Sequence, residues 1–127
     1  MNQDINSSKI SQIQDVIIRE GSSRHMNLTK YNIKIEDDVV IIEISCRRTN
    51  IESTLIKLYW LCGYALDTHN LFYSEIRVIL NIQKKQIETL VTIAKGKDVI
   101  KLSQVKLSEY SSYSNFLDKL EVYRKQD

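Results

Sequence analysis

The chain of 127 residues contains no proline and only three glycines. The missing proline removes rigid kinks and turns, and so few glycines leave Asn, Asp, Ser and Lys to reverse the chain. The two cysteines, Cys46 and Cys62, and the two histidines, His25 and His69, all stand apart in sequence. Zinc sites draw their ligands in close pairs, so this scatter offers none, and two separated cysteines fit reduced, buried thiols better than a disulfide framework. Long apolar runs are also lacking, since the stretch 58–66 is far too short to span a bilayer. The start, Met1-Asn2-Gln3-Asp4, has no basic region followed by an apolar block, so no secretory signal and a cytoplasmic location are expected. A net charge of +2 singles out no polyanionic partner.

What is present is an ordinary globular chain, 43% hydrophobic and 27% charged, long enough for one core and too short to expect two. Ile10, Ile13 and Ile17 recur at helical spacing between Ser7-Ser8 and Gly21, the pattern of a short amphipathic helix capped at both ends. Tyr31, Ile33 and Ile35 alternate, Glu36-Asp37-Asp38 turns the chain, and Val40, Ile42 and Ile44 alternate again, which predicts a β-hairpin. Thr49 and Glu52 form a capping box at the head of a helix over 50–66, whose later half, from Leu58 to Leu66, is apolar around its whole circumference. Ile76, Val78, Leu80 and Ile82 predict a third strand, and Gln83-Lys84-Lys85-Gln86 a polar turn. Ile87, Thr89, Val91 and Ile93 continue as a fourth strand. It closes at Lys95-Gly96-Lys97-Asp98, where glycine can adopt a positive φ at little cost. Residues 99–112 fit neither period cleanly, and Tyr113, Phe116, Leu117, Leu120 and Tyr123 predict a final amphipathic helix. The expected class is α+β: an antiparallel sheet of two hairpins packed against a central apolar helix and terminal helices, in the order α-ββ-α-ββ-α.

In domain terms, residues 1–20 form the amphipathic helix, 21–26 a linker and 27–127 a single α+β domain. The linker has two readings. The hexapeptide Gly21-Ser22-Ser23-Arg24-His25-Met26 can be encoded by GGATCC, TCTAGA and CATATG in frame, three cloning sites ending at a start codon. As such a seam it tethers a partner's helical peptide, residues 1–20, to a protein beginning at Met26, and recognition is a helix laid in an apolar groove. As a natural loop it is simply rich in small polar residues.

The search for chemistry is negative. Gly96-Lys97 lacks the upstream glycine and the following Ser or Thr of a phosphate loop. Cys62 and His69 could pair as thiol and base, but Cys62 lies in the most apolar run, where a thiol is inert. A positive imidazole at His69 suits the end of the central helix as a cap. No catalytic residue, metal site or cofactor is therefore expected, and a non-enzymatic protein-binding module remains: an assembly subunit, adaptor or chaperone that binds a partner helix or segment, or a homodimer. The candidate partner-binding residues are Ile10, Ile13 and Ile17 of the first helix and Leu58, Tyr59, Trp60, Leu61 and Tyr64 of the central one, because a helix apolar all round needs covering on more than one side. The alternative is nucleic-acid association through the lysine-rich stretch 84–106, with Lys84, Lys85, Lys95 and Lys97 as contacts.

The element order, carried by strands 31–35 and 39–44, the helix 51–66, strands 76–82 and 87–93 and the segment 116–124, resembles that of class I chaperones of type III secretion systems. The resemblance covers nearly the whole chain without a motif-specific position. It implies a cytoplasmic homodimer that holds an extended segment of an effector on its surface. Those chaperones are typically acidic, whereas this chain has a pI near 8.5.

Overall fold

The computed structural model describes residues 2–23, 31–47, 51–83, 87–105 and 110–126. Within them the elements are α1 (Asn2–Ser23), β1 (Tyr31–Glu36), β2 (Val39–Arg47), α2 (Ile51–Thr68), β3 (Glu75–Gln83), β4 (Glu88–Lys95), α3 (Gly96–Ser103), α4 (Tyr110–Lys119) and β5 (Glu121–Gln126). The class is α+β as expected, but the sheet is mixed: five strands in the order β1-β2-β3-β4-β5, with β2 and β3 parallel and the other neighbours antiparallel. The two expected hairpins are present. They join side by side in one direction because α2 carries the chain back along the sheet. Eighteen helical residues span ~27 Å at ~1.5 Å each. That nearly matches the ~30 Å of a nine-residue strand.

The turns use the residues available in place of glycine. Asp37 takes a φ of 53° in the two-residue link between β1 and β2, a conformation that Asp and Asn tolerate better than other side chains. Asn70 does the same with a φ of 54° after α2. There Leu71 N–H bonds to Leu66 O at 2.8 Å and Asn70 N–H to Asp67 O at 3.2 Å, the paired bonds of a Schellman cap. The helix end is thus closed by backbone around Asn70.

Several boundaries differ from the sequence reading. Helix α1 begins at Asn2 and runs through Gly21 to Ser23, so neither Ser7-Ser8 nor Gly21 caps it; Arg24, His25 and Met26 lie outside the described residues, as does Thr49 of the capping box. Gly96 has no positive φ and opens α3. Its small size matters instead, because a Cβ there would meet Tyr73 O at 1.8 Å, and its N–H bonds to Ser74 O at 2.9 Å. The final helix stops at Lys119, where Leu120 N–H closes on Leu117 O. Tyr113 and Phe116 point into the core from α4, whereas Tyr123 sits on β5 opposite Val91. Strand β4 faces the opposite way from its expected apolar set: Leu90, Thr92 and Ala94 are buried beneath the helices, and Thr89, Val91 and Ile93 face outward.

The core lies between one face of the sheet and the helices. It joins Ile13, Val16 and Ile17 of α1, Leu55 to Leu66 of α2, and Ile33, Val40, Ile42, Val78 and Leu80 of the sheet. Helix α2 packs on β2 and β3 below, on α1 at one flank and on α3 at another, which is why it is apolar all round. A polar thread pins it to the sheet. The fully buried Tyr59 hydroxyl donates to Thr92 Oγ1 at 2.8 Å, and Thr92 donates onward to Val78 O at 2.9 Å. Phe116 of α4 meets the Tyr59 ring edge-on at 5.2 Å.

Candidate interaction surface

The residues expected to bind a partner are brought together, but inside this chain. Ile13, Ile17, Leu58, Tyr59 and Leu61 are fully buried in the common core, and Ile10 and Tyr64 pack half-buried against it. Trp60 is buried, donates its indole N–H to Val105 O at 2.9 Å, and stacks on Tyr64 at 5.4 Å. The surface that α2 was expected to offer is therefore covered by α1 and α3. No described helix is long and apolar enough to cross a membrane.

Of the lysine candidates, Lys84 and Lys85 lie outside the described residues. Lys95 and Lys97 are exposed, and stand at the far end of β4 from the Ile82–Glu88 pair that closes the hairpin. Cys62 is fully buried, and burial pushes its thiol up to about 12. Seven residues of helix place it about 10 Å along the axis from His69, too far for a thiol–imidazole hydrogen bond. Among the described residues no group of three metal-ligating side chains occurs.

A second apolar cluster lies on the other side of the sheet. On the sheet face turned away from the helices, register aligns rows of side chains across the strands. One row runs Lys34, Ile41, Arg77, Ile93, Glu121, and the next runs Asn32, Glu43, Ile79, Val91, Tyr123. Val39, Ile41, Ile79, Val91 and Ile93 belong to none of the core contacts. Ile41 is nonetheless only 7% exposed, flanked in its row by Lys34 and Arg77, and the other four are half-buried.

The border of this stripe is polar and ordered. Thr89 Oγ1 donates to Asn81 Oδ1 at 3.1 Å, and Asn81 Nδ2 donates to Glu43 Oε2 at 2.9 Å, so one carboxylate is aimed by a chain crossing three strands. Beside it opens a shallow cleft of about 280 Å³ lined by Asn32, Glu43, Ser45 and Asn81 with Tyr31 and Ile44. Arg77 pairs with Glu75, and Lys34 with Glu36 at 3.4 Å. Tyr123 is 54% exposed at the β5 edge, its hydroxyl donating to Glu121 Oε2 at 3.4 Å.

A sequence signal for this face exists in the unbroken run Val39-Val40-Ile41-Ile42 and in Val78-Ile79-Leu80. A strand wet on one side alternates, while one apolar on both sides does not. No protein-family model, curated protein or solved structure matches the chain.

Proposed function

We propose that this protein is a non-enzymatic protein-binding module, an assembly subunit or chaperone, and that its working surface is the helix-free face of the sheet. The observation that carries the reading is the second apolar cluster, Val39, Ile41, Ile79, Val91 and Ile93, which lies outside the core yet is built from the same aliphatic residues. Parallel strand pairs are usually covered on both faces, and here no described helix covers the outer one. Covering it releases about 25 cal/mol for each Å² of apolar area removed from water. The polar border supplies orientation, since Glu43 is held by Asn81 while Arg77 and Lys34 flank Ile41 in the neighbouring row. The likeness in element order to type III secretion chaperones belongs to this proposal, as does a cytoplasmic site of action.

The test is capture from an extract of the source cell with wild-type chain and with Ile79→Lys. Ile79 lies outside the core, so the variant keeps its stability in urea unfolding to within about 0.5 kcal/mol. A protein retained by wild-type and lost by Ile79→Lys is the expected result. An unchanged set of captured proteins with the folded variant refutes the assignment of this face.

A further inference from the structure

We infer that the occupant of the outer face is a second copy of this chain, docked sheet to sheet about a two-fold axis parallel to the strands and passing through β3. The inference rests on the binding surface proposed above and adds its partner. Such an axis keeps each row over its own counterpart and reverses the strand order, so β1 of one copy lies over β5 of the other. The two edges then complement each other in charge. In the row Lys34, Ile41, Arg77, Ile93, Glu121, Lys34 opposes the second copy's Glu121 and Ile41 opposes its Ile93, each contact occurring twice. Arg77 meets itself on the axis, where its bonded Glu75 carboxylate neutralises it.

The next row adds a complement of shape. Tyr123, 54% exposed, stands in this row at the β5 edge. The axis places it over Asn32 of the second copy, at the mouth of the cleft lined by Asn32, Glu43, Ser45 and Asn81. A tyrosine entering there fills a concave site with its ring and brings its hydroxyl to the Glu43 carboxylate. Exposed tyrosines seated in a partner's cleft are characteristic anchors of protein interfaces. Ile79, the middle residue of the same row, packs on its own symmetry mate.

The alternative two-fold, perpendicular to the strands, preserves strand order and lays Lys34 over Asn32 and Ile41 over Glu43. Either axis sets Glu43 against an aliphatic side chain, Val91 in the first and Ile41 here, but this one loses both charge pairs. Area is consistent with a dimer as well. Five strands ~4.8 Å apart, carrying four outward rows ~6.6 Å apart, present roughly 600 Å², of the order of the ~800 Å² that each partner contributes to a standard interface. Sheets packed face to face in this way stand ~10 Å apart.

The experiment is light scattering and sedimentation of the full chain from about 1 µM to about 1 mM, the span that reads a dissociation constant of moderate strength. Wild-type is expected to be a dimer. Lys34→Glu and Glu121→Lys should each weaken it by about tenfold, since each turns two attractive pairs into two repulsive ones. An equimolar mixture of the two variants should recover wild-type affinity, because every Lys–Glu pair is then restored between unlike copies. Tyr123→Ala should weaken the dimer by about thirtyfold, the loss typical of an interface anchor.

A wild-type chain that stays monomeric, or a dimer indifferent to all three substitutions, overturns this inference. So does a mixture no tighter than either variant. If the chain is monomeric and Ile79→Lys still loses a captured protein, the inference alone falls and the binding surface stands. If neither responds, both fall.

Discussion

Gly63→Ala sets two effects of opposite sign against each other inside α2. In an open helix the change stabilises by about 1 kcal/mol, because alanine loses less backbone entropy on folding. Here the new Cβ would lie 2.3 Å from Val99 O, 2.9 Å from Val99 C and 3.0 Å from Ser103 Cβ. Ordinary contact begins near 3.4 Å, so α3 must retreat by about 1 Å, and the obstacle is backbone that cannot rotate away. The retreat is resisted at both ends of α3, by Gly96 N–H on Ser74 O and by Trp60 Nε1–H on Val105 O. Overpacking costs about 1–3 kcal/mol and weakening one of those bonds about another 1 kcal/mol. The clash outweighs the propensity gain, for a net loss of about 1–3 kcal/mol. Urea unfolding followed by fluorescence reads it directly, because Trp60 is the only tryptophan and its indole is bonded to the segment that must move. With a slope of about 1–3 kcal/mol/M, the midpoint should fall by about 1 M at unchanged slope, and the native emission should shift to the red. A midpoint that rises, as it would on an exposed helix, refutes the close approach of α3 to Gly63.

Two buried tyrosines should respond oppositely to loss of the hydroxyl. Tyr59→Phe removes a donor to Thr92 Oγ1 and should cost about 1–2 kcal/mol; combined with Thr92→Val the loss should be less than additive by about 1 kcal/mol in a double-mutant cycle, and strict additivity would show that the two groups are not coupled. Tyr73 has a buried hydroxyl without a hydrogen-bond partner among the described residues, so Tyr73→Phe should be neutral or stabilising by up to about 1 kcal/mol, and a clear loss in the same urea assay would contradict that environment. Cys62, with its thiol raised from 9.0 to about 12 by burial, should resist thiol reagents at pH 8 in a Cys46→Ser background until the chain unfolds; rapid stoichiometric labelling of the folded protein would count against its burial. The same shift sets a pH dependence. The folded pKa lies above the unfolded one, so the contribution is complete below pH 9 and is lost as pH rises from 9 toward 12, by up to about 1.4 kcal/mol per unit for one group. Tyr59, also raised by burial, extends the loss to higher pH, and Cys62→Ala should flatten its first part.

The sequence by itself determined the elements whose periodicity is local. The spacing of Ile10, Ile13 and Ile17 marks α1, the alternation of Tyr31 to Ile44 marks the first hairpin, and the all-round apolarity of 58–66 requires a helix covered on several sides. The burial of Cys62 followed from the same pattern. Tertiary structure alone decided what lies beside what. Alternation fixes two faces of a strand but neither its direction nor its neighbours, so the parallel pairing of β2 with β3, imposed by the return path through α2, had no signature of its own. Strand β4 shows the cost of that ambiguity. Its outward Val91 and Ile93 are as apolar as its inward Leu90 and Ala94, and only the helices decide which side becomes core. Strand β5 was hidden because Tyr113, Phe116, Leu120 and Tyr123 keep a helical spacing across the turn at Leu120. The candidate site is legible only as the unbroken apolar runs Val39 to Ile42 and Val78 to Leu80; its layout is not, because Lys34, Ile41, Arg77, Ile93 and Glu121 come from five strands and meet in one row only through register, which belongs to hydrogen bonds between segments distant in sequence.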